Sequence, residues 1–140
     1  MEKVILLGAG GHAKVIIDIF KKAGCYEIAG ILDKDGTDGY RNVLSIPVLG
    51  TDILLEDIFN SGIRNAFIAV GSVGDTGIRE KLFTKACSLG FNFVNAIHPS
   101  AIIGSDVKFG KGNAVMAGVL INPSVSIGHN CILNTGCIIE

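Results

Sequence analysis

An apolar residue returns at every sixth position between residues 97 and 140, and this period constrains the fold more than any other feature of the chain. The eight positions are Ile97, Ile103, Phe109, Val115, Ile121, Ile127, Leu133 and Ile139. A helix would space its apolar residues by three and four, and a single half-buried strand would alternate them by two. The period therefore predicts a stack of short strands whose apolar side chains form one interior column.

The residues between these positions fit short strands joined by tight turns. Glycine follows the apolar residue in three units, at Gly104, Gly110 and Gly128, and the site four residues after it is small or branched in most units. Asn113 is the exception. Three such strands could close a triangular coil, with successive coils about 4.8 Å apart. We expect Lys108 and Lys111 to be exposed. The apolar hexad residues expected to be buried in the interior column are Ile103, Val115, Ile121, Ile127 and Leu133.

The composition is that of a globular protein. Of 140 residues, 49% are hydrophobic and 18% charged, and the formal charge is −1 without a basic block, so we expect no nucleic-acid partner and no membrane partner. The first apolar run, Val4 to Ala9, is too short for a signal peptide or a transmembrane helix, and a cytoplasmic location is expected. No C-x-x-C pair occurs, so we expect buried free thiols and no metal site; the cysteines are Cys25, Cys87, Cys131 and Cys137.

Strand and helix patterns alternate through residues 1 to 96. The predicted strands are Lys3 to Leu7, Glu27 to Leu32, Val43 to Leu49, Ala66 to Val70 and Phe91 to Ala96. The predicted helices are one that Gly24 ends as a C-cap, then Asp52 to Asn60 and Asp75 to Leu89. This alternation predicts a Rossmann-like α/β domain with a parallel sheet at residues 1–96, followed by the repeat domain at residues 97–140.

The first strand leads into a glycine cluster that resembles a nucleotide-binding loop. Gly8, Gly10, Gly11 and Ala13 match G-x-G-x-x-[GA], and Asp33 ends the second strand. Glycines there let a phosphate approach the backbone at a helix N-terminus; the alternative is a tight turn that needs glycine only for packing. The α/β segment has room for about one mononucleotide-binding half, so a nucleotide-sugar or mononucleotide is favoured over NAD.

Several motifs give the chain a resemblance to a known family. They are GAGGHAKV at 8–15, ILDKD at 31–35, AVG at 69–71, IHPSA at 97–101 and VMAGVLINPSVSIGHNCILNTGCIIE at 115–140. The chain resembles the bacterial sugar O-acyltransferases of the sialic acid O-acetyltransferase group and the related UDP-4-amino-sugar N-acetyltransferases, which are hexapeptide-repeat acyltransferases. The resemblance implies a left-handed parallel β-helix that holds acetyl-CoA, an N-terminal domain that holds a nucleotide-sugar such as a UDP-amino-sugar, and a homotrimer.

The resemblance also assigns roles to single residues. It implies that Asp33 and Lys34 meet the uridine, that Gly71 closes the pocket and that Asn134 faces the acceptor. The residues implied at the diphosphate and sugar are Gly8, Gly10, Gly11 and His12. One departure from the family is the stretch 72–77, where relatives usually have a G-N-x turn, so substrate contacts from that loop are not expected to follow the family.

Acyl transfer needs a base with a pKa near neutral, and histidine is the natural choice. We expect His12 to contact substrate, and His98 and His129 to be structural. The family's base is the histidine of an Ile-Glu-His sequence, of which this chain supplies Ile139 and Glu140. A truncated enzyme that lacks its catalytic base is therefore expected, nearly inactive by itself.

The sequence patterns and the resemblance together predict an acetyl-CoA-dependent acyltransferase that acts on a nucleotide-linked amino sugar or a sialic-acid-like sugar. Whether oxygen or nitrogen is acylated stays open. Two other functions also stay open: a nucleotide-sugar-binding module without catalysis, and an NAD-binding regulatory domain.

Overall fold

A computed structural model of the chain describes residues 1–37, 41–71 and 77–140. Its first strand, β1 (Glu2–Leu7), lies near the middle of a six-stranded sheet. The other strands of this sheet are β2 (Tyr26–Leu32), β3 (Asn42–Val43), β4 (Ile46–Gly50), β5 (Asn65–Ile68) and β6 (Asn92–Phe93). The spatial order is β3-β4-β2-β1-β5-β6, and every pairing is parallel except that of β3 with β4. The predicted Rossmann-like α/β domain with a parallel sheet is therefore present.

In the described residues, three α-helices connect these strands. They are α1 (Gly11–Ala23), α2 (Leu55–Asn60), which follows a 3-10 turn at Asp52–Leu54, and α3 (Gly77–Leu89). Gly24 ends α1 as predicted: its φ is 71°, and its N–H donates to the Phe20 carbonyl at 3.0 Å. Residues 75 and 76, which were expected to begin α3, lie outside the described residues. Within the described residues, no helix is both long and apolar enough to cross a bilayer.

Two predicted strands differ from those observed. The segment from Val43 to Leu49 is a hairpin that turns at Leu44 and Ser45, whose φ angles are 47° and 70°. Two positive φ values are typical of the type I′ turn that joins antiparallel strands, so this segment contains two short strands and not one. The expected strand Phe91–Ala96 is reduced to β6, because Ala96 pairs instead with Ala114 of the repeat.

The repeat forms a parallel β-helix of two-residue strands. These are β7 (Ala96–Ile97), β8 (Ile102–Ile103), β9 (Lys108–Phe109), β10 (Ala114–Val115), β11 (Leu120–Ile121), β12 (Ser126–Ile127), β13 (Ile132–Leu133) and β14 (Ile138–Ile139). Each strand pairs with the strand that comes three later in the chain, so β10 pairs with both β7 and β13. Val115 therefore lies between Ile97 and Leu133. Three hexads therefore make one coil, as the period predicts. The expected boundary between residues 96 and 97 falls inside β7.

Burial of the hexad residues depends on the coil to which they belong. Val115 and Ile121, in the middle coil, are 0% and 1% exposed as predicted. Ile103 is 38% exposed, so the prediction that it is buried is wrong, and Ile127 and Leu133 are only half-buried. The reason is stacking: within the described residues, β8 pairs only with β11, and β12 only with β9. Lys108 and Lys111 are exposed, as expected.

The cysteines are free but not buried, which corrects the prediction. Cys25 and Cys87 are exposed, and Cys131 and Cys137 are half-buried. Cys131 and Cys137 belong to the outer part of the β-helix, where no further described coil covers them.

Helix α1 lies in the layer between the sheet and the β-helix. Side chains alternate along β1, so Val4 and Leu6 join a core that contains the buried face of α1 and the interior of the β-helix. Ile5 and Leu7 point the other way, into a second core with α2 and α3. The carboxyl ends of the parallel strands therefore lie beside both the start of α1 and the β-helix.

Candidate functional site

A cavity of about 890 Å³ lies at the carboxyl ends of β1, β2 and β5, where open α/β sheets bind their ligands. All eight site residues expected from the sequence line it; they are Gly8, Gly10, Gly11, His12, Asp33, Lys34, Gly71 and Asn134. The cavity also reaches the β-helix through Ile132. The structure thus brings together residues that are up to 126 positions apart, from Gly8 to Asn134.

The glycines of the loop have different physical roles. Gly8 has a φ of +117°, and a Cβ there would lie 2.7 Å from Val70 Cγ2, so packing and backbone conformation both require glycine. A Cβ on Gly10 or Gly11 would meet no atom within 4 Å among the described residues. Packing therefore accounts for Gly8, whereas Gly10 and Gly11 leave open space beside the cavity.

This open space lies at the N-terminus of α1. Gly10 is the N-cap residue and makes no side-chain cap, and the first turn of α1 has no acidic residue. Helix α2, by contrast, has Glu56 and Asp57 in its first turn. The positive end of the α1 dipole is therefore not neutralised by its own side chains, and this end can attract an anion such as a phosphate.

Asp33 is held by several donors at the end of β2. Its Oδ1 accepts from the Ala9 N–H at 3.1 Å, and its Oδ2 accepts from Arg41 Nη1 at 2.8 Å and from the Asp35 N–H at 3.3 Å. Burial raises the pKa of this carboxyl, but the hydrogen bonds from Arg41, Asp35 and Ala9 outweigh burial, and the net pKa is lowered. Asp33 is thus a carboxylate that ties the glycine loop to the segment after β2.

His12 lies in the first turn of α1 and is half-buried. Its Nε2 atom is buried and has no hydrogen-bond partner among the described residues. Burial lowers the pKa of His12, and the positive charge of Arg79 lowers it further. The imidazole is therefore neutral at pH 7, with an unused polar atom beside the cavity.

Arg79 links α3 to the β-helix. Its Nη2 donates to the Asn130 carbonyl at 3.1 Å, whereas its Nε is buried with no partner in the part of the chain that the structure describes.

The other two histidines lie outside the cavity lining and accept local hydrogen bonds. His98 Nδ1 accepts from the Ser100 N–H at 3.0 Å, and His129 Nδ1 accepts from the Lys111 N–H at 2.8 Å. These contacts agree with structural roles for His98 and His129.

Sequence reasoning missed several residues of the cavity wall, among them Arg41, Lys81 and Ile132. Arg41 is separated from Asp33 by a polar stretch of sequence, and Lys81 lies within α3 without a recognisable motif around it, so neither has a local sequence signal. The departure from the family at 72–77 falls mostly on residues 72–76, outside the described residues. Among the described residues, no group of three His, Cys, Asp or Glu side chains is placed to hold a metal ion.

Fold and site together define a Rossmann-like domain with open space beside its glycine loop, joined to a β-helix that reaches the same cavity. Residues 3–86 match the family model of the PglD N-terminal domain. This match covers more than half of the chain, and the chain belongs to that family.

Similar proteins include enzymes of known structure. The chain is 43% identical to a perosamine N-acetyltransferase from Caulobacter crescentus, in a variant with a histidine replaced by asparagine and in complex with CoA and GDP-perosamine; the TM-score is 0.90, over 99% of this chain and 63% of that one. It is 31% identical to the acetyltransferase domain of PglB from Neisseria gonorrhoeae FA1090 in complex with acetyl coenzyme A, with a TM-score of 0.82 over 99% of this chain and 64% of that one.

A third similar protein is the UDP-N-acetylbacillosamine N-acetyltransferase of Bacillus subtilis (strain 168). It is 30% identical over 122 residues, which are 84% of this chain and 52% of that protein. The chain thus spans between about half and two thirds of the length of these three relatives.

Proposed function

We propose that the chain is the substrate-binding part of an acetyl-CoA-dependent N-acetyltransferase that acts on a nucleotide-linked amino sugar. The observation that carries the proposal is the open space beside Gly10 and Gly11 at the uncapped N-terminus of α1, inside a cavity of about 890 Å³. A diphosphate fits this place because backbone N–H groups and the helix dipole both favour negative charge. The glycine loop then holds the diphosphate, within a cavity that is also lined by Asp33 and by Asn134.

The relatives support the reaction class. Those described above are N-acetyltransferases or an acetyltransferase domain, and the two of known structure contain CoA with GDP-perosamine or acetyl coenzyme A. An amine is therefore the favoured acceptor, in preference to the hydroxyl of a sialic-acid-like sugar. The NAD-binding alternative is disfavoured, because the chain continues into a β-helix and not into a second nucleotide-binding half.

In this proposal the two parts of the chain divide the work. Residues 1–96 bind the nucleotide-sugar, with Asp33 and Lys34 at the nucleoside, His12 at the sugar and Gly71 closing the pocket. Residues 97–140 form a β-helix, left-handed as the resemblance implies, whose residue Asn134 faces the acceptor. Acetyl-CoA lies along the β-helix, between subunits of a homotrimer.

The chemistry is attack of the sugar amine on the thioester carbonyl of acetyl-CoA. A base takes the proton of the amine, the carbon–sulfur bond of the thioester breaks, and the departing thiolate receives that proton to give free CoA. The resemblance places that base in an Ile-Glu-His sequence, of which Ile139 and Glu140 are the first two residues. His12 is assigned to binding: its imidazole lines the cavity, and its lowered pKa keeps it neutral, so that it adds no charge beside the diphosphate.

The test is calorimetry with UDP- and GDP-linked 4-amino sugars and with NAD. We expect a nucleotide-sugar to bind and NAD to bind at least about tenfold more weakly. Gly10→Val should abolish binding with little change in melting temperature, because the new side chain occupies open space that the phosphate needs. The matched control Gly8→Ala should instead lower the melting temperature, because its Cβ meets Val70.

Two results would contradict the proposal. Tight NAD binding with inert nucleotide-sugars would favour the regulatory alternative. Binding of a nucleotide-sugar by a chain that carries the Ile-Glu-His continuation, without release of CoA from acetyl-CoA, would favour a binding module without catalysis.

A further inference from the structure

We propose that Arg41 recognises the nucleobase, by donating a hydrogen bond from its guanidinium to a carbonyl oxygen of the base, and that Asp33 is the residue that positions it. This inference rests on the proposed function and assigns a specificity-determining residue within the same cavity.

Most of the acceptor capacity of Asp33 is already used. An ionised carboxylate has about four lone-pair sites. Three are taken, by the N–H groups of Ala9 and Asp35 and by Arg41. In dinucleotide-binding domains the acidic residue at this position accepts from a ribose hydroxyl. In this chain, the Asp33 carboxylate is instead hydrogen-bonded within the protein, and its side chain is only 12% exposed.

Arg41, in contrast, has donors to spare. Both hydrogens of its Nη1 are used, by Asp33 Oδ2 at 2.8 Å and by the Gly36 carbonyl at 2.9 Å. A guanidinium carries five N–H donors, so three remain, on Nε and Nη2. The described residues show no hydrogen bond from these atoms, the side chain is 32% exposed, and Arg41 lines the cavity. The two Nη1 bonds fix the plane of the guanidinium and leave its free edge available to a ligand.

The charge distribution decides which part of the ligand this edge meets. The charge of Arg41 is offset by Asp33 at 2.8 Å, so its attraction for a diphosphate is small. The uncapped N-terminus of α1 lies at the glycine loop, where the phosphates are proposed to bind, and Lys81, which also lines the cavity, forms no ion pair within the described residues. A neutral acceptor of fixed position suits Arg41 better, and a base carbonyl is such an acceptor.

This geometry predicts a preference among bases. Uracil carries two exocyclic carbonyl oxygens and guanine carries one, whereas adenine carries none. We expect the protein to bind UDP or GDP about 10- to 100-fold more tightly than ADP, the range of one hydrogen bond to a charged group. The preference would come from Arg41, because all three ligands share the ribose and the diphosphate.

The experiment is calorimetric titration of UDP, GDP and ADP into the parent chain and into Arg41→Gln, Arg41→Lys and Asp33→Asn. Arg41→Gln should weaken the preferred diphosphate at least about tenfold and change ADP less than about twofold, so the preference collapses. Arg41→Lys should restore part of it. Asp33→Asn should reduce the preference even though it leaves Arg41 in place. The matched control Arg64→Gln removes a guanidinium outside the cavity and should change none of the three affinities.

Three outcomes would overturn the assignment. An equal loss for UDP, GDP and ADP in Arg41→Gln would place Arg41 on the ribose or phosphate, and an unchanged preference would show that it contacts no base. If the parent chain binds a nucleotide-sugar without any preference over ADP, the base assignment fails while the proposed function stands. If the folded parent binds no nucleoside diphosphate or nucleotide-sugar, the proposed function itself fails.

Discussion

His12 lies where three influences oppose its protonation. Burial lowers its pKa most, the charge of Arg79 acts in the same direction, and its place in the first turn of α1 puts it at the positive end of a helix dipole. An imidazole kept neutral can act as both a donor and an acceptor towards a sugar hydroxyl. A protonated imidazole could only donate.

We therefore predict that His12 titrates below 6.5 in the folded chain, which NMR of the imidazole protons can measure. Arg79→Met should move that pKa upwards, because it removes a positive charge. A His12 pKa above 6.5, or one indifferent to Arg79→Met, would contradict the account.

The lowered pKa of His12 also makes the free energy of unfolding depend on pH. The unfolded chain binds the His12 proton from about pH 6.5 downwards, whereas the folded chain binds it only at lower pH. Between these two values the unfolded state holds more protons, so acidification lowers the free energy of unfolding. The contribution of His12 is complete above pH 6.5 and is lost as the pH falls towards its folded value.

The β-helix offers a matched pair of positions. Ile103 and Ile121 occupy the same hexad site and are register partners on one face, yet Ile103 is 38% exposed and Ile121 is 1% exposed. We predict that Ile121→Asp lowers the free energy of unfolding by about 3 kcal/mol or more, because an unpaired charge enters a closed core. Ile103→Asp should cost clearly less, because its carboxylate can reach water. Urea denaturation measures both, and equal losses would contradict the observed register.

The sequence predicts the β-helix because its strands repeat a local pattern, and it predicts the order of strands and helices for the same reason. Asn113 marks the limit of this reasoning. It breaks the hexad rule of small residues, yet it is 0% exposed and both polar atoms of its side chain are hydrogen-bonded: Nδ2 donates to the Gly128 carbonyl and Oδ1 accepts from the Cys131 N–H, each at 2.8 Å. Asn95 repeats the arrangement one coil earlier, donating to the Gly110 carbonyl at 2.9 Å and accepting from the Asn113 N–H at 2.8 Å. Pairing between coils is what makes a buried amide acceptable, and composition does not reveal it.

The candidate site was also predictable only in part, because some of its residues follow a local motif and others depend on contacts between distant segments. The glycine loop and Asp33 have a spacing that follows from one strand-loop-helix unit, so a motif can find them. Arg41 and Arg79 act through contacts with Asp33 and Asn130, made across loops or between the two parts of the chain. The exposure of Ile103 likewise depends on which strands stack beside it, which the hexad period leaves unspecified.

The molecule joins its two parts through α1. Buried side chains of this helix, such as Ile16 and Phe20, belong to the same core as Val4 of the sheet and Val115 and Ile121 of the β-helix. Helix α1 also carries Gly11 and His12 at its start. The helix whose first residues line the cavity is therefore fixed by both the sheet and the coils, which keeps Asn134 at a defined distance from the glycine loop.

A shared core predicts that the two parts unfold together. Ile121→Ala should lower the free energy of unfolding by about 2–5 kcal/mol. Because about 1.4 kcal/mol corresponds to a tenfold change in an equilibrium constant, the protection factors of the slowest-exchanging amides should fall at least about 30-fold. Hydrogen exchange followed by mass spectrometry should show that loss in β1 and α1 as well as in β10 and β11, because opening the β-helix core also removes one side of the α1 packing. Ile103→Ala is the control, with a smaller effect expected because this residue is already 38% exposed. A loss of protection confined to residues 96–140 would show instead that the β-helix opens independently and that α1 is held by the sheet alone.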